Sequence, residues 1–348
     1  MSYKDFVNIN VKLDKQQFSL NEPIIGEVLI QNKSQIQLDL ESIQLKLILK
    51  HQGKGETDII ELDSHVNRDY KILSRNETVT IKFNFKPVNY VTYNGYNVAQ
   101  TVLIHTKVDI KKESEKLLRN EKLSDFKIGG YLSGVFMPDF YNETPITVIR
   151  GETDYQITHA KGNVKPGLRS SLIALGVGLI LCTILGVIAY NKFSSKEFLY
   201  GIIGCYLLLI LLVYYLKLGP YLSIGRIDFD LKNLEGNLYE VNLVLEKRTS
   251  IIKEISYQLI GKELVTYDNG SSRSTATHTF YKSPINTIKG RMKKLIDESG
   301  LPTKSLPTSI NNNDFEIRWI FKLKVLTKAN LKLNGTAKIE IAYEKDYQ

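Results

Sequence analysis

Two apolar runs in the middle of the chain, residues 172–190 and 198–216, contain no charged residue and are parted only by residues 191–197. A membrane-spanning helix needs roughly 20 mostly apolar residues rising 1.5 Å each. The runs therefore predict two transmembrane helices, and the short link turns the second straight back. Whatever precedes residue 172 and follows residue 216 then lies on one side. This reading divides the chain into a first domain at 1–165, a transmembrane helical hairpin at 166–220 and a second domain at 221–348.

Small residues mark how such helices would pack. Ala174, Gly178, Cys182 and Gly186 recur every fourth residue, and Gly201 and Cys205 open the second run in the same way. Small side chains let membrane helices approach closely, so the late part of the first helix is expected to face the early part of the second. No ionisable residue interrupts either run, which argues for an anchor over an ion path. Lys161, Lys165, Arg169, Lys217 and Arg226 on the domain side outnumber Lys192 and Lys196 in the link. By the charge bias of membrane loops, both domains and both termini are expected in the cytoplasm. Both cysteines fall inside the runs, leaving the flanks without disulfides, as suits a reducing compartment. The first residues are polar and lack an apolar h-region, so no cleavable secretory leader is expected.

The net charge of +9 suits work beside an anionic surface. It also suits nucleic acid, but the cations are dispersed and no nucleic-acid motif accompanies them, so no nucleic-acid partner is expected. Arg291, Lys293 and Lys294 form a short basic cluster. Beside a membrane it would meet anionic lipid headgroups, worth on the order of 1 kcal/mol per basic residue.

The flanks alternate apolar and polar residues, the mark of half-buried strands. Strands are predicted at 6–13, 26–31, 43–49, 78–85 and 102–110, then at 238–245, 255–259, 315–325 and 331–343. Residues 268–277 read as a polar hairpin tip and residues 111–123 as a short charged helix. Many short strands with polar turns predict a β-sandwich in each flank. Residues 27–47 also lay onto residues 240–259 at an offset near 213, which points to an internal repeat.

The stretch Phe18-Ser-Leu-Asn-Glu-Pro-Ile-Ile-Gly-Glu-Val-Leu-Ile30, followed by Leu40-Glu-Ser-Ile-Gln-Leu-Lys-Leu47, resembles the start of an arrestin amino-terminal domain. Residues 255–264, residues 277–280 and Leu306-Pro-Thr-Ser-Ile310 before Phe315-Glu-Ile-Arg-Trp319 are similar to the second arrestin domain. The resemblance implies a mainly β chain with two arrestin-like, immunoglobulin-like sandwiches flanking the hairpin. It also implies an adaptor that binds partners through sheet edges and loops and carries no chemistry. The chain departs from the pattern in its inserted apolar segment and in lacking a Pro-Pro-x-Tyr motif. The charge cluster of an arrestin's polar core cannot be mapped onto it. Receptor binding and ligase recruitment are therefore not carried over.

Catalytic signatures are missing from the sequence. There is no phosphate-binding glycine loop, no metal-ligand spacing among His51, His65, His105, His159 and His278, and Ser133 is not in a nucleophile elbow. His105 and Asp109 share a strand face and read as ordinary packing or surface pairing. Glu22, Glu27 and Glu263 read as solvated. No cofactor, metal or enzymatic activity is expected. The function expected is a membrane-anchored adaptor or scaffold that integrates into lipid through two spans and holds two cytoplasmic domains out to an unidentified protein partner. The alternatives are a lipid or hydrophobic-ligand binder, a regulatory subunit of an envelope enzyme, and a homo-oligomer built through the small-residue face.

Overall fold

The computed structural model describes residues 6–343 apart from 54–56, 126–139, 153–154, 160, 165–175, 179, 182, 189–195, 216–218, 236, 248–249, 269–271, 290–293, 312–313, 329 and 331. The first half holds β1 (Val7–Leu13), β2 (Gln17–Ser19), β3 (Ile24–Asn32), β4 (Leu38–Gln52), β5 (Thr57–Asn67), β6 (Ile72–Leu73), β7 (Thr78–Phe85), β8 (Tyr93–Asn94), β9 (Ala99–Ile110) and β10 (Phe140–Ile149). A helix at Lys112–Asp125 follows β9. The second half holds β11 (Tyr155–His159), β12 (Lys161–Val164), β13 (Ile227–Asn233), β14 (Leu238–Leu245), β15 (Ile252–Asp268), β16 (Arg273–Lys282), β17 (Asn286–Lys289), β18 (Lys294–Gly300), β19 (Ile310–Asn311), β20 (Phe315–Thr327) and β21 (Lys332–Tyr343).

Each half is a β-sandwich. In the first, sheet β1-β3-β7 packs on a sheet ordered β2-β10-β9-β4-β5, with β6 on β4 and β8 on β9. In the second, sheet β12-β13-β14-β18 packs on a sheet ordered β11-β21-β20-β15-β16, with β17 on β15 and β19 on β20. The strand order of the larger sheet thus repeats between the halves, and β3 and β4 correspond to β14 and β15, as the offset near 213 implies. Alternation builds both cores. Ile43, Leu45, Leu47 and Leu49 are buried on β4, and Trp319, Phe321, Leu323 and Val325 on β20. Phe229 on β13 meets Phe321 across the second sandwich at 4.9 Å between ring centres.

The structure overturns the transmembrane hairpin. No helix among the described residues is long and apolar enough to cross a membrane. The longest helix, Lys196–Val213, spends its first two positions on Lys196 and Glu197. Of the first run, residues 176–178, 180–181 and 183–188 are helical. Two-span integration, the lipid partnership through those spans and the cytoplasmic orientation drawn from them all fall with the hairpin.

The domain division also shifts. Residues 1–165 were expected in one domain, but β11 pairs with β21 and β12 with β13. Residues 155–164 therefore open the second sandwich, and the apolar segment is an insertion inside it. Val164 and Ile227 are directly opposed in the β12–β13 ladder, so the insertion leaves and rejoins the sheet at one point.

Candidate functional site

The most distinctive chemistry in the described residues lies where the two sandwiches meet. Along β15, Gly261, Glu263 and Val265 share one face, because alternate strand residues point the same way. They sit opposite Trp319, Ile317 and Phe315 of β20. On that otherwise apolar face Glu263 is fully buried, at 0% exposure. An ionised carboxylate removed from water is costly unless donors surround it.

The donors come from the first sandwich. Tyr93-Asn94 of β8 pairs with Ala99-Gln100 of β9, and Gly95 N donates to Val98 O at 2.9 Å, closing a tight hairpin. The Tyr93 hydroxyl donates to Glu263 Oε1, and Asn97 N donates to Glu263 Oε2 at 2.6 Å. Burial, then the bond to Glu263, drives the Tyr93 phenol well above its ordinary pKa, so it stays a donor. Gly95 is required for contact: a Cβ there would collide with Glu263 Oε1 and lie 2.6 Å from the Tyr93 ring. Around the polar centre, Val98 of the hairpin packs with Val265, Phe315 and Ile317. Tyr96 stacks on His278 at 5.0 Å. His51 lies 5.4 Å from Phe315 ring to ring, and its Nε2 is 3.0 Å from Gln100 Oε1. Burial pulls the His51 pKa below its ordinary value.

A second set of bonds fixes the passage between the sandwiches. Buried Arg150 donates from Nη1 to Asn237 Oδ1 at 2.9 Å and from Nη2 to Thr303 O at 3.1 Å. Its guanidinium lies 5.0 Å over the Tyr155 ring. The Tyr155 hydroxyl donates to Lys304 O at 2.7 Å and accepts from Leu306 N at 2.6 Å. Residues 303–306 are thereby tied to the residues that join the halves.

These bonds form a structural joint. Glu263 is held by the Tyr93 hydroxyl and the Asn97 N–H and is sealed from solvent, an arrangement that holds two bodies together. Among the described residues, no group of three His, Cys, Asp or Glu side chains is placed to hold a metal.

Residues singled out from the sequence fall elsewhere or outside the description. Gly178 is half-buried and Gly186 buried, while Gly201 is exposed with nothing within 4 Å of where a Cβ would stand. Ala174 and Cys182 lie outside the described residues, as does the Cys205 side chain. Arg291, Lys293 and Ser133 lie outside them too, and Lys294 is exposed on β18. His105 and Asp109 take separate partners: His105 Nδ1 is 3.6 Å from Glu143, and Asp109 accepts from Ser42 and Gln44 at 2.8 Å. Glu22 accepts from Ser19 N and pairs with Lys15, and Glu27 lies 3.9 Å from Lys12. The solvated reading of Glu263 is corrected by its complete burial. Its signal in the sequence was positional: in Leu259-Ile260-Gly261-Lys262-Glu263-Leu264-Val265 an acid holds the parity of Leu259 and Val265.

Fold and joint define a mainly β protein of two sandwiches locked through a buried carboxylate. No family model and no curated protein matches the chain. Among solved structures it is similar to the sporulation control protein Spo0M from Bacillus subtilis, with 10% identity over 79% of this chain and 90% of that one and a TM-score of 0.30. A likeness at that level supports no inference for this chain.

Proposed function

We propose that this chain is a non-enzymatic adaptor of arrestin-like build, two sandwiches held in one orientation while a sheet edge takes a partner strand. The observation that carries the reading is the Glu263 joint, which spends a buried charge on fixing two bodies and leaves it away from solvent and substrate. The edge is β5, which pairs only with β4 among the described residues. Ile59, 60% exposed, and Val66, 54% exposed, project from this strand. An edge strand with exposed apolar side chains is a template for strand addition.

Quantitative mass spectrometry after capture on the full chain and on an Ile59→Lys, Ile60→Lys variant tests this. The expected result is a protein recovered near equimolar with the native chain and lost by roughly tenfold or more (about 1.4 kcal/mol) with the variant. Equal recovery by both chains, or none by the native chain, overturns the reading.

A further inference from the structure

The exposed large apolar residues of the chain concentrate in the segment inserted between β12 and β13. Their spacing there is regular. Residues 176–178, 180–181 and 183–188 are helical, and so is Lys196–Val213. On the first stretch Val177, Leu181, Ile184 and Ile188 follow one another at steps of four, three and four, and each is half or more exposed. On the second, Tyr200, Gly204, Leu207 and Leu211 repeat those steps. Tyr200, Leu207 and Leu211 are more than half exposed, and nothing lies within 4 Å of where a Gly204 Cβ would stand. Alternating steps of three and four keep residues on one stripe of a helix, the a and d positions of a coiled coil. No charged residue interrupts either stripe.

We infer that the insertion joins two copies of this chain, the two stripes of one molecule packing on the two of the other in a four-helix bundle. A stripe with a 3.5-residue period fits a helix of the same period, knob into hole, and two such helices per copy supply the four that a bundle needs. The area agrees. Covering each of the seven stripe side chains removes on the order of 100 Å² from water, so the stripes offer roughly 700 Å² per copy, close to the roughly 800 Å² that each partner gives a standard interface. That exceeds the few hundred Å² of a usual monomer patch, and a second copy brings an equal, uncharged surface that is covered at the same time. The seam is not the small-residue face read from the sequence, since Gly186 of that face is buried. The insertion leaves and rejoins the sheet at the Val164–Ile227 pair, so pairing asks no change of the ladder.

Sedimentation equilibrium of the full chain at micromolar concentration, without detergent, is the test. It is run beside a Leu207→Glu, Leu211→Glu variant, a Leu181→Glu, Ile184→Glu variant and the Ile59→Lys, Ile60→Lys variant of the β5 edge. The native chain is expected at twice its own mass. Either glutamate pair puts carboxylates into the seam, where they lose their water, and is expected to weaken the dimer by roughly tenfold or more. The β5 variant is expected to stay dimeric, which separates this contact from the strand-addition edge. All the replaced side chains are exposed, and near-ultraviolet circular dichroism identical to the native chain shows that each variant is folded. A monomeric native chain overturns the inference, as does a dimer untouched by both glutamate pairs or one lost in the β5 variant. Flotation of the native chain as a monomer with phosphatidylcholine vesicles overturns it too, because lipid would then be what covers the stripes.

Discussion

At the scale of single residues, Glu263 and His51 separate two consequences of burial. Replacing Glu263 by Ala leaves the Tyr93 hydroxyl and Asn97 N–H facing the joint with no acceptor. Each orphaned buried donor costs about 1–3 kcal/mol, so Glu263→Ala is expected to destabilise the protein by roughly 2–4 kcal/mol in urea unfolding. Tyr93→Phe removes one donor and costs less. The two substitutions contact each other, so the double-mutant cycle is expected to be non-additive by about 0.5–3 kcal/mol; full additivity would mean the bond does no holding. His51 acts through pH. Burial lowers its folded pKa below the unfolded value of about 6.5. Above pH 6.5 both states are neutral and the protein keeps its full stability. As pH falls below 6.5 the unfolded chain takes the proton first, so stability is lost down through the folded pKa. Urea midpoints at pH 7.5 and 5.5 are expected to diverge in the native chain and to converge in His51→Gln. Glu263 was readable only as an acid at an apolar parity. Its partner hairpin lies some 170 residues earlier in the chain, and no local pattern encodes a contact made by tertiary packing.

At the scale of elements, period-2 alternation located the strands whose one face is buried. β7 and β14 match their predicted bounds at both ends, 78–85 and 238–245. β15 was predicted as residues 255–259 and runs to Asp268, because its second half is polar on one face and meets the other sandwich on the other. β5, β10, β11, β12, β13 and β18 are among the strands not predicted, and the second half of the expected hairpin tip at 268–277 is the start of β16 at Arg273. β5 is an edge strand largely exposed on both faces, and β11 and β12 are short and take their identity from β21 and β13, far along the chain. The apolar runs misled for a related reason: length and hydropathy are local, while the insertion point is set by the β12–β13 ladder. That ladder makes its own prediction. Val164 and Ile227 are partners, and the inserted helices expose Leu185, Leu208 and Leu211. Replacing residues 167–221 with a short Gly/Ser linker is therefore expected to leave the second sandwich folded, since closing a short loop between adjacent strands costs little. Retained far-ultraviolet circular dichroism and a thermal midpoint within a few degrees of the native one, each °C being roughly 0.7 kcal/mol for a chain of this size, would bear this out. Loss of cooperative unfolding would mean that the insertion contributes to the core.

At the scale of the whole molecule, the buried apolar residues of the two sandwiches run together in one cluster, and apolar contact alone does not fix one relative orientation. Interfaces between domains of one chain are by default mobile unless large and apolar. Here the contact includes, beside the shared core cluster, a smaller apolar cluster around Val98 and Phe315 with one buried carboxylate at its centre. The charge makes the joint selective: only the orientation that places Tyr93 and Asn97 on Glu263 satisfies it, and any other leaves a desolvated anion. A hydrophobic patch alone tolerates sliding. Glu263→Gln keeps the shape but removes the charge, so the orientation is expected to loosen while both cores persist. Small-angle scattering is expected to give a larger radius of gyration for Glu263→Ala than for the native chain, with Glu263→Gln between them. Calorimetry is expected to resolve two unfolding transitions in Glu263→Ala where the native chain shows one. A native-like scattering curve in Glu263→Ala would place the rigidity in the Arg150–Tyr155 passage instead, where Asn237, Thr303 and Leu306 accept or donate the bonds that join the halves. The discriminating chain is then Arg150→Ala, whose scattering would change in that case and stay native if Glu263 holds the joint.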